Sequence, residues 1–278
     1  MTKYLICTDL DRTLIPNGTE EETSLVRARF ANIFNQDNVL LAYVSGRNLT
    51  MVEDAIADYA LRQPDTIIAD VGGSIYHPTE AGWLADKHWQ NSIAENWQGK
   101  SWQALTGWLD DVQGIRLQDG QINQVCPYKL SYFTQPDLDA AGLQQAIEHR
   151  LFQHGFESRA IWSLDEAKNL GLLDILPVRA SKLHAIEFLL RHLGIAPENC
   201  LFCGDSGNDL EALTSRIPSV LVANASSETR RLAMHHSKRL NNEDSLYLAR
   251  YRSDSDNGNY AGGILQGIQH FFPALYST

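Results

Sequence analysis

Buried-strand signals alternate with amphipathic helix signals through both ends of this 278-residue chain, and this alternation limits the possible folds most strongly. The patterns predict strands over 4–8, 39–44, 66–69, 200–203 and 219–222, and helices over 21–34, 49–61 and 182–193. The last helix has Ser181 as its N-cap and Gly194 at the C-cap position. Such alternation indicates an α/β fold built on a parallel sheet.

The middle of the chain has a different pattern. Five of the six tryptophans lie between Trp83 and Trp108, and hairpin-like alternation follows around 114–120 and 128–133. We therefore predict a separate α+β domain over 83–177, inserted into a core made of 1–82 and 178–278. The tryptophans could stack on sugar rings, but packing is the favoured interpretation because large aromatics mostly fill cores.

The composition excludes several classes of protein. A net charge of −11 without a Lys/Arg run disfavours nucleic-acid and anionic-membrane partners. No leader-like segment and no apolar stretch long enough to span a membrane is present, so we expect a cytoplasmic protein. Four cysteines suit a reducing compartment, and the Cys200–Cys203 CxxC spacing is interpreted as strand core because no second ligand pair accompanies it.

Two carboxylates, Asp9 and Asp11, stand at the end of the first predicted strand with the apolar Leu10 between them. In a strand-like spacing both can point the same way, and their repulsion favours a cation such as Mg²⁺ between them. Taken alone, the segment could equally be a strand followed by a turn.

Matching polar groups follow other predicted strands. Ser45, Gly46 and Arg47 come after the second strand, where open parallel sheets bind ligands, although such a pair alone is usually a turn. Lys182 stands at a helix start, where a nearby anion would explain a cation better than the helix dipole does, and a solvated surface lysine is the alternative. The loop over 204–209 is rich in Asp and Gly, lacks the EF-hand ligand pattern, and fits a Mg²⁺ site shared with a phosphate.

These segments together resemble the haloacid dehalogenase superfamily, which carries DxDxT, a Ser or Thr at a strand end, a Lys and GDxxND in that order. The resemblance implies a Rossmann-like parallel-sheet core with an inserted α+β cap of the C2B type. Finer similarity points to the sucrose-phosphate phosphatase family, through the segments at 45–47, 71–76, 127–132, 176–182 and 260–265. Arg12 and Ser45 replace residues that are commoner in the superfamily, without loss of the chemistry.

The resemblance also implies a role for each motif residue. Asp9 is expected to be the nucleophile that forms an aspartyl-phosphate, and Asp11 the acid and base. A Mg²⁺ cofactor would be held by Asp9, the Asp11 carbonyl and Asp205, with Asp209 in an indirect role. Ser45, the Gly46 amide, Lys182 and Asn208 would hold the phosphoryl oxygens. Candidate sugar contacts are Lys129, Arg47 and Arg179.

The resulting hypothesis is a Mg²⁺-dependent hydrolase of sucrose 6-phosphate. Its rivals are a phosphatase for another sugar phosphate, such as mannosylfructose phosphate or glucosylglycerol phosphate, and a non-catalytic module that binds sugar phosphates. The partner expected in each case is a small-molecule sugar phosphate. A physical association with a sucrose-phosphate synthase is left open.

Overall fold

Two β-sheets organise the chain in the computed structural model, which describes residues 2–118, 126–165, 168–252 and 257–276. The strands in these parts are β1 (Tyr4–Thr8), β2 (Val39–Val44), β3 (Thr66–Ala69), β4 (Ser74–Thr79), β5 (Gly82–Ala85), β6 (Ile115–Leu117), β7 (Leu130–Thr134), β8 (Ser158–Asp165), β9 (Leu170–Pro177), β10 (Cys200–Gly204), β11 (Ser219–Leu221) and β12 (Leu246–Leu248). The larger sheet has the order β12-β11-β10-β1-β2-β3-β4-β5, and the smaller has the order β6-β7-β9-β8.

Six neighbouring strands of the larger sheet, from β12 to β3, are parallel, and β4 and β5 add an antiparallel edge. The helices of the described residues are α1 (Val26–Ile33), α2 (Leu49–Asp58), α3 (Lys87–Ala94), α4 (Gln103–Thr106), α5 (Ala140–Gln153), α6 (Lys182–Leu193), α7 (Leu210–Leu213), α8 (Ser227–Leu240), α9 (Tyr260–Phe271) and α10 (Pro273–Tyr276). The predicted α/β fold with a mostly parallel sheet is therefore confirmed.

Helices cover both faces of the larger sheet. Ile6 of β1 packs in one cluster with residues of α1, α2 and α9, whereas its neighbours Leu5 and Cys7 pack in a second cluster with α3, α6, α7 and α8. This division follows from the two-residue period of a strand, which sends successive side chains to opposite faces. With both faces covered, the carboxyl edge of the parallel strands is where polar side chains converge.

The smaller sheet belongs to the inserted region and has its own apolar cluster, which includes Trp97, Leu130, Ile147 and Leu173. The predicted start of the insert at residue 83 falls inside β5, which pairs with β4 in the larger sheet, so the boundary lies further along the chain. The predicted end coincides with the last residue of β9, Pro177. Of the predicted hairpin around 114–120, residues 119 and 120 lie outside the described residues, and β6 precedes them.

The predicted start of the first helix shifts for a local reason. The helix predicted from Glu21 begins only at Val26, because Asn257 and Asn259 donate to the Glu21 carbonyl and Leu25 has a left-handed φ of 67°.

The CxxC cysteines are buried free thiols in β10, which confirms them as core. Within the described residues, no helix is both long enough and apolar enough to cross a membrane.

Candidate active site

The polar residues predicted as a site follow three adjacent strands. β1 lies between β10 and β2, and Thr8 is in register with Cys203 on one side and Tyr43 on the other. Asp9, Asp205 and Ser45 come just beyond these positions, at the same edge of the sheet. The strand order thus brings together residues as distant in the sequence as Asp9 and Asp205, which are 196 positions apart.

Lys182 contacts acidic residues that follow two neighbouring strands, Asp9 after β1 and Asp209 in the loop after β10. The Ser181 side chain caps α6 by accepting from the His184 amide, and Lys182 is the first helical residue. Its Nζ lies 3.1 Å from Asp9 Oδ2, 2.7 Å from Asp209 Oδ1 and 3.1 Å from Asn208 Oδ1. The side chain is only 2% exposed, so this lysine is an internal cation and the alternative of a solvated surface residue is wrong.

Burial and charge have opposing effects on this pair. Burial would lower the pKa of Lys182, but the carboxylates of Asp209 and Asp9 raise it overall. Burial raises the pKa of Asp9, Lys182 opposes that rise, and the neighbouring acids Asp209, Asp205 and Asp11 add to it. An excess of buried carboxylates over cations therefore remains at the edge of β1, and a bound cation would relieve it.

The loop after β10 organises the other two acids. Asp209 Oδ2 accepts from the amides of Asp205 and Ser206, both at 3.1 Å, while its Oδ1 faces Lys182. Asp205 Oδ1 accepts from Thr13 Oγ1 at 3.1 Å, and Asp205 Oδ2 lies 3.5 Å from Arg12 Nε. Burial, with a contribution from Asp209, raises the pKa of Asp205 to about 7.

Asp9, Asp205 and Asp209 form a candidate metal site. One carboxylate oxygen from each lies within 4.8 Å of the others, and all three residues are buried. A cluster of carboxylate oxygens is the donor set that hard divalent cations prefer, so the residues fit such an ion. Both oxygens of Asp209 already accept from protein groups, which suits an indirect role for this residue.

Asp11 is held differently from Asp9. Arg47 Nε donates to Asp11 Oδ2 at 2.8 Å, Arg47 Nη2 donates to Asp11 Oδ1 at 2.7 Å, and Asn17 Nδ2 donates to the same Oδ1 at 2.7 Å. Partial burial would raise the pKa of Asp11, but these donors lower it overall. Arg47, predicted as a sugar contact, thus lies against Asp11.

Ser45 and Gly46 lie where the chain leaves β2. Ser45 is buried, its amide donates to the Ile68 carbonyl at 2.8 Å, and its Oγ accepts from the Arg47 amide at 3.2 Å. The Gly46 carbonyl lies 3.4 Å from Lys129 Nζ. These bonds link the predicted phosphate-binding turn both to β3 and to the inserted region.

Lys129 crosses from the inserted region to the larger sheet. Its Nζ lies 3.3 Å from Asp70 Oδ1 and 3.9 Å from Asp174 Oδ1, and Ser131 Oγ donates to that same Asp174 oxygen at 2.6 Å. Burial would lower the pKa of Lys129, but Asp174 and Asp70 raise it overall. Arg179, the third predicted sugar contact, instead has its Nη1 3.0 Å from Glu95 on exposed side chains.

Sequence reasoning missed Asp70, Asn17 and Thr13. Asp70 follows β3 directly, so the rule that polar residues at strand ends converge would have found it. Asp70 and Val71 both have left-handed φ angles, 54° and 57°, and strained backbone of this kind clusters at functional sites. Thr13 is the last residue of the DxDxT motif but was assigned no role, and Asn17 carried no signal beyond its closeness to Asp11.

Fold and site together define a phosphoric monoester hydrolase of the haloacid dehalogenase type. The sequence model described as sucrose-6F-phosphate phosphohydrolase matches residues 2–272, and the chain belongs to that family. The predicted family is therefore confirmed, and with it the sugar-phosphate phosphatase class.

Relatives and solved structures agree with this assignment. The chain is 42% identical to a putative HAD-like hydrolase of Nitrosococcus oceani, over 98% of this chain and 72% of that one. It is 30% identical to sucrose-phosphatase 2 of Nicotiana tabacum, over 96% of this chain but 59% of the tobacco protein. The sucrose-phosphatase of Synechocystis, solved with sucrose and phosphate, superposes with a TM-score of 0.74 at 26% identity, over 98% of each chain. A glucosylglycerol-phosphate synthase of Pseudomonas anguilliseptica is 30% identical over 78% of this chain and 26% of its own length.

Proposed function

We propose that this chain hydrolyses sucrose 6-phosphate to sucrose and inorganic phosphate, with Mg²⁺ as cofactor and Asp9 as nucleophile. The observation that carries the proposal is the position of Asp9, which lies 3.1 Å from the ammonium group of Lys182 and in one cluster with the carboxylates of Asp205 and Asp209. A carboxylate that is buried beside a cation can approach a phosphate dianion, because part of the charge repulsion is already offset.

In the first half-reaction an Asp9 oxygen forms a bond to phosphorus, and the bond from phosphorus to the sugar oxygen breaks. Asp11 gives a proton to the departing sugar oxygen. In the second half-reaction water attacks phosphorus and gives its proton to Asp11, and the Asp9 carboxylate leaves. Asp9, the Asp11 carbonyl and Asp205 would hold Mg²⁺, and Asp209 would support them indirectly. The bound ion would offset the negative charge of Asp9 and of the phosphate.

The remaining predicted groups are suited to the nonbridging phosphoryl oxygens. Asn208 Oδ1 accepts from Lys182 and from Ser206 Oγ, so its amide NH₂ group is the part left to donate. Ser45 Oγ, the Gly46 amide and Lys182 complete the proposed cradle. Lys129 and Arg179 stay predictions as sugar contacts.

The substrate proposal is supported by the family and by the sucrose and phosphate bound in the Synechocystis protein. The similarity to a glucosylglycerol-phosphate synthase makes glucosylglycerol phosphate the most useful competitor, with mannosylfructose phosphate next. A non-catalytic module would release no phosphate from any of them.

The test is a phosphate-release panel on these three esters and on glucose 6-phosphate, with and without Mg²⁺. We expect sucrose 6-phosphate to have the highest kcat/KM, and thorough chelation to abolish turnover. Asp9→Asn should lose all measurable turnover while its circular dichroism matches the unchanged chain. Preference for another ester would overturn the proposed substrate. Turnover by Asp9→Asn would overturn the assignment of Asp9 as the nucleophile. Undiminished activity after chelation would overturn the assignment of Mg²⁺ as the cofactor.

A further inference from the structure

Arg47 holds the carboxyl group of Asp11 in a geometry that a sugar contact would not need. The two parallel hydrogen bonds, from Nε at 2.8 Å and from Nη2 at 2.7 Å, match the planar guanidinium fork to both carboxylate oxygens. The third guanidinium nitrogen, Nη1, donates to the Met51 carbonyl at 3.1 Å. All three nitrogens of the guanidinium group are thus engaged by the protein.

Asp11 needs such support more than Asp9 does. Asp9 is enclosed and bonded to Lys182, whereas the Asp11 side chain is 41% exposed at the mouth of the site. An exposed aspartate samples several rotamers, and proton transfer requires the carboxyl within hydrogen-bond reach of the ester oxygen. Besides Arg47, only Asn17 is seen to bond this carboxylate among the described residues.

We propose that Arg47 is a positioning residue that, together with Asn17, fixes the rotamer of the Asp11 carboxyl group for proton transfer to the leaving oxygen. The hydrogen bonds to both oxygens hold the ionised form in place, and the bonds to Oδ1 keep the same rotamer when Oδ2 gives up its bond to Arg47 Nε and carries the proton. This inference rests on the proposed function, since it assumes that Asp11 is the acid. It reassigns Arg47 from sugar recognition, its predicted role, to the chemical step itself. Arg47 is well placed for this because it follows the phosphate-binding turn of Ser45 and Gly46 directly.

The two roles predict different dependence on the ester. Sucrose 6-phosphate has a sugar and a poor leaving group, ethyl phosphate has only the poor leaving group, and p-nitrophenyl phosphate has neither the sugar nor a need for protonation. With a covalent intermediate, kcat/KM reports the steps up to departure of the leaving group, so dephosphorylation does not enter the comparison.

The test measures kcat/KM for the three esters with Arg47→Gln and Arg47→Lys, which lack the fork. We expect a loss of about 100-fold on both alkyl esters and of less than about threefold on p-nitrophenyl phosphate, the pattern that Asp11→Asn should also show. Arg150→Gln is the matched control, because Arg150 also contacts both oxygens of an aspartate, Asp111, in the inserted region. That variant should resemble the unchanged chain on all three esters.

Other patterns would overturn the proposal. A loss confined to sucrose 6-phosphate would make Arg47 a sugar contact, equal losses on all three esters would indicate a general effect on phosphate binding or on the fold, and no loss would remove any role. If the unchanged chain hydrolyses ethyl phosphate but not sucrose 6-phosphate, the substrate proposal fails while the comparison of the two simple esters still decides the role of Arg47.

Discussion

Gly72 lets the turn after β3 touch the start of α6. Its φ is +95°, and a Cβ at this position would lie 2.3 Å from both the carbonyl carbon and oxygen of Ser181 and 2.8 Å from the Lys182 amide nitrogen. All of these are backbone atoms, which cannot rotate away. Any side chain at residue 72 would therefore displace the first turn of α6, and Lys182 with it.

Gly72→Ala is expected to lower both stability and turnover. The control is Gly82→Ala, because Gly82 also has a positive φ of +118° but its Cβ would meet nothing within 4 Å. Both variants carry backbone strain, so the clash should make the free energy of unfolding fall by about 2 kcal/mol more for Gly72→Ala. Only that variant should also lose kcat, by about tenfold or more, since it displaces Lys182. Equal urea midpoints and equal kcat for the two variants would show that the contact with α6 does not matter.

The convergence of the acids could be predicted from the sequence, whereas their pairings could not. Asp9 and Asp205 follow buried strands, and parallel strands end at one edge, so their closeness follows from topology. Which carboxylate Arg47 faces depends on the rotamers of two side chains 36 positions apart, and no pattern in the sequence specifies those. The same holds for Lys129, whose partner Asp70 directly follows a strand of the other sheet.

Among the helices, α3 connects its own N-cap to the active-site edge. Asp86 accepts from the amides of His88 and Trp89 at 2.9 and 3.0 Å and lies 3.0 Å from His77 Nε2. Trp89 Nε1 in turn donates to the Gly72 carbonyl at 3.0 Å. Burial would raise the pKa of Asp86, but the Trp89 amide and His77 lower it overall.

The stabilisation by Asp86 should therefore depend on pH. The pKa of Asp86 is lower in the folded protein than in the unfolded chain, where it is about 4. The ionised cap therefore stabilises the fold fully above the unfolded-state pKa, and this stabilisation is lost as pH falls through the folded-state pKa. Asp86→Ala should cost about 1 kcal/mol at neutral pH, and its deficit against the unchanged chain should shrink on acidification. Ser226→Ala removes a cap that does not titrate, the one that accepts from the Thr229 amide, so its deficit should stay level. Parallel pH curves for the two variants in urea titrations would contradict this account.

The sequence patterns predict the parallel strands of the larger sheet well and its antiparallel edge poorly. Five strands buried on both faces carry continuous apolar runs, and all five occur where predicted to within one residue. The predicted insert begins at Trp83, inside β5, because the short strands on the far side of Gly72 and Gly73 do not resemble the parallel ones. α9 was also missed as an element, since it is buried on nearly all sides and has no polar face to reveal a helical period.

At the scale of the whole molecule, two charged contacts join the inserted region to the part of the chain built around the larger sheet. Arg159 at the start of β8 pairs with Glu211 of α7, directly after the loop that holds Asp209. Lys129 pairs with Asp70 deeper in the same seam, where the Asp70 side chain is fully buried. The partners in the first pair are partly exposed and those in the second are buried, so their contributions to stability should differ.

Lys129→Met should destabilise the protein strongly, by about 3–5 kcal/mol, because it leaves the buried Asp70 carboxylate without its cation. Arg159→Met is the matched control, and it should cost about 1 kcal/mol or less because Glu211 can be hydrated. Combining Lys129→Met with Asp70→Asn removes the unpaired charge, so urea titrations should show much of the lost stability restored.

The same double variant separates the structural role of Lys129 from sugar recognition. If Lys129 also contacts the sugar, the kcat/KM of the double variant should stay low for sucrose 6-phosphate but should be near that of the unchanged chain for ethyl phosphate. Only sucrose 6-phosphate has sugar hydroxyl groups that would lose the Lys129 hydrogen bond. Full recovery on both esters would limit Lys129 to holding the seam together. A double variant no more stable than Lys129→Met would show that the pairing with Asp70 is not what stabilises the seam, and the contact of Lys129 with Asp174 would then be the one to remove next.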